Sequence, residues 1–425
     1  MTAIEPKDSA CGTRMASRRC SGIVFSMFYL LLLNRLANLS VGIVCASVGP
    51  KTHGNPNIPV IPIGYTPLRI CSGLLLLGIH GSMKEKFYWL ARYTGIFVLC
   101  RWLTRKHIRV LAYHGIWLGE GHFGNFLYMS PARFQQRMSL LKRWGYPVVA
   151  LDRVFDDSET LPDCATILTI DDGWSGTYQH MLPALERYSF PATVYITSYY
   201  CEQQVPVFDV ALQYMLAITT REQLDLRAVG LENATLASLK NVEQREDARA
   251  LLQRYVSGLE SETERQNKMA QIGDLLGVSY AEISEQKLFH LVTMDQIADM
   301  HKRGIDIQLH THRHRISMDG ADCIAQELTD NRHALQPLVS RQLTHFCYPS
   351  GVYDESVWPQ LEAAGIVSAT TTETGLVSCK SHKFALPRIL DGEQVTELEF
   401  EAEMSGFGEV KRIMLSMFRI GSGGK

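Results

Sequence analysis

The stretch ATILTIDDGWSGTYQHMLPALERYSFPATVYIT, residues 165–197, reads as strand, helix, strand. ATILTI and PATVYIT are short runs rich in β-branched residues, and GTYQHMLPALERYS between them has the length and mixture of a helix. That order builds a parallel sheet with its helices outside. Asp171 and Asp172 stand side by side at the first strand's end, with Gly173 directly after them. Neighbouring strand residues point to opposite faces. Two carboxylates therefore serve one site only if the chain leaves the strand there, and Gly173 permits that bend. A helix-capping Asp beside a solvated one is the plainer alternative, and the local sequence leaves both open.

The same rhythm extends outward. IRVLAYHGI (108–116) is a buried strand ending near His114. Ser130 caps a helix with Pro131 at its first position, and Gly145 stops it. YPVVAL (146–151) reads as the next strand. Later, a helix capped by Thr293 precedes the strand IDIQLH, a helix over 323–338 precedes THFCYP, and SVWPQLEAAG precedes IVSATT. These βα units suffice for a (β/α) barrel, complete or incomplete, whose chemistry belongs at the C-terminal strand ends. Residues 221–286 are charged and helix-prone, with Leu251, Leu252 and Leu259 at heptad-like spacing, and read as a helical insertion in one loop.

Residues 1–82 differ from the rest. Arg14, Arg18 and Arg19 precede an apolar segment over 22–48. Its uninterrupted part is shorter than the ~20 residues a spanning helix needs. Met83 reads as the natural initiator and residues 1–82 as an over-long gene start. The alternatives are a membrane or export element and a structured N-terminal domain. Residues 83–107 begin with a helix, a catalytic domain occupies 108–400, and 401–425 form an amphipathic helix and tail. Net charge is -2, so no basic field invites nucleic acid. Ten cysteines occur without a CxxC pair, which suits a reducing compartment and argues against a thiolate zinc site. Localisation stays open between cytoplasm and membrane surface, and oligomeric state is not legible.

Two further strand ends carry chemistry. In LHTHRHRIS (309–317), His310, His312 and His314 alternate right after a strand. Neutral imidazole is the commonest metal ligand, and two His with one Asp leave coordination positions open. Which two histidines converge is not decided by spacing, since an extended chain puts all three on one face. In FCYPSGVYD (346–354), an aromatic-Pro-x-Gly turn suits a cleft wall, and its backbone N–H groups suit an oxyanion.

TIDDG (169–173) resembles the TFDDG signature of the NodB-type polysaccharide deacetylases, carbohydrate esterase family 4. LAYHG, HTHRH, FCYPSGVY and LPRI (386–389) resemble the pieces of that family's exopolysaccharide branch in order and spacing, over residues 109–390. The resemblance implies a distorted or incomplete barrel and a hydrolase that removes N-acetyl groups from an amino-sugar glycan. It implies Asp172, His310 and His314 as ligands of a divalent metal, zinc first, with iron, cobalt or nickel also suited, and Asp171 as general base. Cys347 and Ser350 stand where related enzymes carry Arg and Tyr, so Arg388 is expected to hold Asp171. No late Leu-x-His supplies the usual acid, so protonated His114 is expected in that role. Ser350, Trp174, Tyr348 and Tyr353 are expected to contact sugar. Alternatives are an amide hydrolase on a small or lipid-linked N-acyl sugar, and a catalytically silent sugar-binding protein.

Overall fold

Seven parallel strands form a closed barrel. They are β1 (Arg109–Tyr113), β2 (Thr166–Ile170), β3 (Thr193–Ile196), β4 (Asp306–Leu309), β5 (His345–Cys347), β6 (Ser368–Thr374) and β7 (Leu386–Leu390). Around the ring the order is β1, β7, β6, β5, β4, β3, β2, and β2 returns to β1. This computed structural model describes residues 83–156, 160–231, 236–316 and 321–422. The expectations for residues 1–82, including the apolar segment at 22–48, lie outside the described residues. Two units divide the chain: Met1–Ile96, whose described part contains the helix Met83–Tyr93, and Phe97–Lys425, which holds the barrel.

β1 to β4 are buried along their whole length, which is why they read as continuous apolar runs. Their registers are in phase. Tyr113 pairs with Ile170, and Ile196 with Leu309. The residues that follow, His114, Asp171 and His310, therefore emerge on one rim. The helix Pro131–Trp144 starts where Ser130 Oγ accepts from Arg133 N at 3.2 Å and ends at Gly145 with φ 66°. Thr293 and Gln296 form a reciprocal capping box for the helix Met294–Lys302, which satisfies two otherwise orphan donors.

Two strands differ from expectation. YPVVAL does not form one: only Val148 bridges to Thr166, and a 3-10 turn follows over Leu151–Phe155. Pro147 removes a ladder donor there. Conversely, LPRI belongs to β7, which closes the ring by pairing with both β1 and β6. Its ladder to β6 runs from Thr370↔Leu386 to Thr374↔Arg388, a slip of register around Pro387.

The barrel's N-terminal end is sealed by a polar cluster. His345 Nδ1 lies 2.8 Å from Ser368 Oγ and its Nε2 2.7 Å from Asp152 Oδ1. Asp306 accepts from Thr193 Oγ1 and Gln308 Nε2, while Gln308 Oε1 accepts from the Thr344 and His345 N–H groups. Between β3 and β4 the chain inserts the helices Phe208–Ile218, Val242–Ser257, Glu262–Leu276 and Tyr280–Glu285, with Leu252, Val256, Met269 and Ile272 buried.

Candidate active site

The two acids of β2 reach one rim through a change of backbone hand. Asp171 still follows the ladder, its N–H donating to Tyr113 O at 2.9 Å. Asp172 has φ 67° and Gly173 φ 87°. A β-carbon on Gly173 would stand 2.5 Å from Ile196 Cδ1, so this bend requires glycine. Left-handed backbone at a non-glycine residue is unfavourable and collects at functional sites. Thr311, His314 and Ser350 share it, at φ 62°, 53° and 57°.

That turn resolves the three histidines. His310 Nδ1 lies 2.8 Å from Cys347 O. The ring donates there, which leaves the Nε2 lone pair facing Asp172 Oδ1 at 3.1 Å. His314 Nε2 reaches the same oxygen at 3.2 Å. His312 turns away and contacts Ser198 Oγ at 2.8 Å. Asn331 braces the bend: its Oδ1 accepts from His310 N, and its Nδ2 donates to Ile196 O and Ser198 Oγ. Nothing in the sequence signalled Asn331, which arrives from a helix far along the chain.

Asp172, His310 and His314 offer three ligand atoms within 4.8 Å of one another. Asp172 Oδ2 accepts the Trp174 indole N–H at 2.8 Å, whereas buried Oδ1 has no hydrogen-bond partner among the described residues. A buried carboxylate oxygen without a donor is costly. One carboxylate oxygen and two imidazole nitrogens meeting there fit a divalent cation. Burial raises the Asp172 carboxyl, but His314 and His310 outweigh it and hold it well below its ordinary value. Burial opposes charge on His310, while the Cys347 and Asp172 groups raise its affinity for a proton, so a proton and a cation compete for the same Nε2.

Asp171 sits in a different field. Arg388 donates from Nη1 to Oδ1 at 2.8 Å and from Nη2 to Oδ2 at 2.7 Å, and is itself anchored on Thr371 O and Thr169 Oγ1. Burial alone would raise Asp171, but the Arg388 guanidinium brings it down to about 2. Asp171, His310 and Cys347 form a second trio of ligand types. Arg388 already occupies both Asp171 oxygens and lies 3.3 Å from Cys347 Sγ, so its charge excludes a cation there.

His114 Nε2 stands 3.5 Å from Asp171 Oδ2. Burial lowers its pKa more than Asp171 and Asp172 raise it. That shift favours the neutral imidazole.

The expected sugar contacts separate. Trp174 and Tyr348 are buried, at 4% and 1% exposure. Trp174 spends its N–H on Asp172, and Tyr348 donates to Phe384 O at 3.0 Å. Neither ring offers a free face, because hydrophobic rings with a polar handle were drawn into the wall. Tyr353 stacks on Tyr348 at 5.0 Å and donates to Glu373, while Ser350 is exposed at the rim.

Residues 158–369 match the family described as polysaccharide deacetylase. The match lies within the barrel, from just before β2 into β6. The Bacillus subtilis (strain 168) protein named "Putative polysaccharide deacetylase YxkH" is 30% identical over 102 residues, covering 24% of this chain and 36% of that protein. The chain thus spans about a third of that relative's length. A Streptococcus pyogenes deacetylase, PplD, solved in complex with acetate, is similar at 16% identity and TM-score 0.46, over 70% of this chain and 98% of its own. IcaB from Ammonifex degensii is similar at 16% identity and TM-score 0.45, over 71% and 97%.

Proposed function

We propose that this chain is a metal-dependent N-deacetylase of amino-sugar glycans, of the exopolysaccharide-type branch. One observation carries the reading: the partnerless Asp172 Oδ1 faces two imidazole nitrogens, beside an ionised Asp171 clamped by Arg388.

Asp172, His310 and His314 would hold the cation, zinc in the first place. Bound there, it supplies Lewis acidity toward a carbonyl and lowers the pKa of water to about 7. Asp171 is the base that takes the proton of the attacking water. Arg388 keeps it charged and fixes both of its oxygens. Water oxygen bonds to the acetyl carbon, the carbon–nitrogen bond breaks, and the nitrogen leaves with a proton. His114 delivers that proton. Because the resting ring is neutral, the proton reaches it from Asp171 across the 3.5 Å between them. Acetate and a free amino sugar result. Trp174 holds the other Asp172 oxygen, and Tyr353 and Ser350 line the rim on the substrate side.

Metal analysis with acetate release across poly-N-acetylglucosamine, chitooligosaccharides, and nucleotide- and lipid-linked N-acetyl sugars tests this. Polymer turnover that needs metal and disappears in Asp171→Asn is expected. Turnover confined to small or lipid-linked sugars would move the substrate class. Metal binding with no turnover on any of them would leave a sugar-binding protein.

A further inference from the structure

The helices Met83–Tyr93 and Ile96–Leu103 carry an unusual surface, independent of the proposed catalysis. Only Ala91 is buried in the first and Phe97 and Cys100 in the second. Trp89 and Tyr93 stand four residues apart on one face of the first helix, with Leu90 beside them, and all three are exposed. On the second, Val98 and Trp102 repeat the four-residue spacing and are 73% and 57% exposed. Residues four apart share a helix face, so these are apolar stripes turned to solvent rather than scattered side chains.

Charge accompanies the stripes. Residues 83–106 hold Lys84, Lys86, Arg92, Arg101, Arg105 and Lys106 against the single acid Glu85. Asp163 approaches Arg105 and Lys106 from outside the segment and offsets part of this excess. Arg92 lies over the Trp89 ring at 5.5 Å and Arg105 over Trp102 at 4.8 Å. Tryptophan and tyrosine with adjoining cations are the composition of the lipid headgroup layer. A seam built to meet protein also favours aromatic residues and arginine but is depleted in lysine, whereas Lys84, Lys86 and Lys106 accompany these stripes. Among the described residues no helix is long and apolar enough to cross a membrane, so the stripes lie on a surface rather than through it.

We infer that the stripes of these two helices, each on its own, dock on an anionic lipid surface, Trp89, Leu90 and Tyr93 of the first and Val98 and Trp102 of the second entering the headgroup layer, with Lys84, Lys86 and Arg92, and Arg105 and Lys106, respectively, meeting lipid phosphates.

The test is cosedimentation of the full chain with phosphatidylcholine vesicles, with and without phosphatidylglycerol. Binding that favours the anionic vesicles, weakens in high salt, and falls about tenfold or more in Trp89→Ser/Trp102→Ser is expected. Circular dichroism and sedimentation of the lipid-free variant should match the parent. No vesicle binding would overturn the inference, as would equal binding to neutral vesicles. Binding that the double substitution leaves unchanged would overturn it too and place the contact in residues 1–82. A changed oligomeric state of the lipid-free variant would instead show that a second copy covers the stripes.

Discussion

The barrel's two ends use the same kinds of side chain to opposite effect. At the N-terminal end His345, Ser368, Asp152, Asp306 and Gln308 form a network in which each functional group has a partner. None of these five residues has left-handed backbone. At the C-terminal end Asp172, Thr311, His314 and Ser350 all do, and Asp172 Oδ1 is left without a donor. A satisfied polar network rigidifies a fold. An unsatisfied one on strained backbone persists only because its surroundings hold it there. The difference separates a plug from the candidate site, although both are clusters of acids and histidines.

The sharpest way to break this contrast is at the upper end. Asp171→Asn should lower kcat for acetate release by about a hundredfold to ten-thousandfold with the fold retained. Asp172→Asn should lose at least as much and also abolish bound metal, read by elemental analysis of purified protein. Equal metal content in both variants would place the ion elsewhere.

Next in size is Arg388→Met. It strands the buried Asp171 charge, and breaking such a pair costs about 3–5 kcal/mol, measurable by urea unfolding. Activity should fall with it, and Arg388→Lys should recover part of the stability.

The lower end should respond differently. His345→Ala leaves the buried Ser368 hydroxyl without its partner and Asp152 with Arg341 alone, and should cost about 1–3 kcal/mol. Turnover per folded molecule should stay unchanged. A drop in kcat there would erase the functional distinction between the two ends.

The smallest effect is one of pH. The folded chain holds Asp171 at about 2 against an ordinary 3.8. A depressed carboxyl contributes stability fully above its unfolded value and loses it as pH falls through the folded value. The stability difference between the parent chain and Asp171→Asn should therefore shrink between pH 3.8 and about 2. A difference that stayed constant through that interval would mean that Arg388 does not set the charge of Asp171.

Much of this was legible because strand, helix, strand repeats leave a strong periodic trace. The order of β1 to β6 follows from apolar runs and helix caps such as Ser130 and Thr293. Asp171, Asp172, His310 and His314 were visible as residues, and a rim was the natural place for them. What was not legible is conformational. Spacing could not choose among three histidines, because the left-handed turn at Thr311 has no residue-type signature. Pro147 and Pro387 misled in opposite directions: one ended a strand that looked continuous, and the other sat within a strand that looked like a motif. Trp174 and Tyr348 looked like sugar platforms because sequence shows a ring but not its burial. The downward shift of His114 is likewise a consequence of burial, set by chain segments it meets only after folding.

His310 joins two concerns that usually lie apart. One ring nitrogen grips the carbonyl of Cys347 on β5, while the other faces Asp172. A ligand drawn to the second nitrogen polarises the ring and tightens the grip of the first. Filling the site would then be felt as a firmer seam between β4 and β5, and slower amide exchange along β5 would report occupancy without any substrate being turned over.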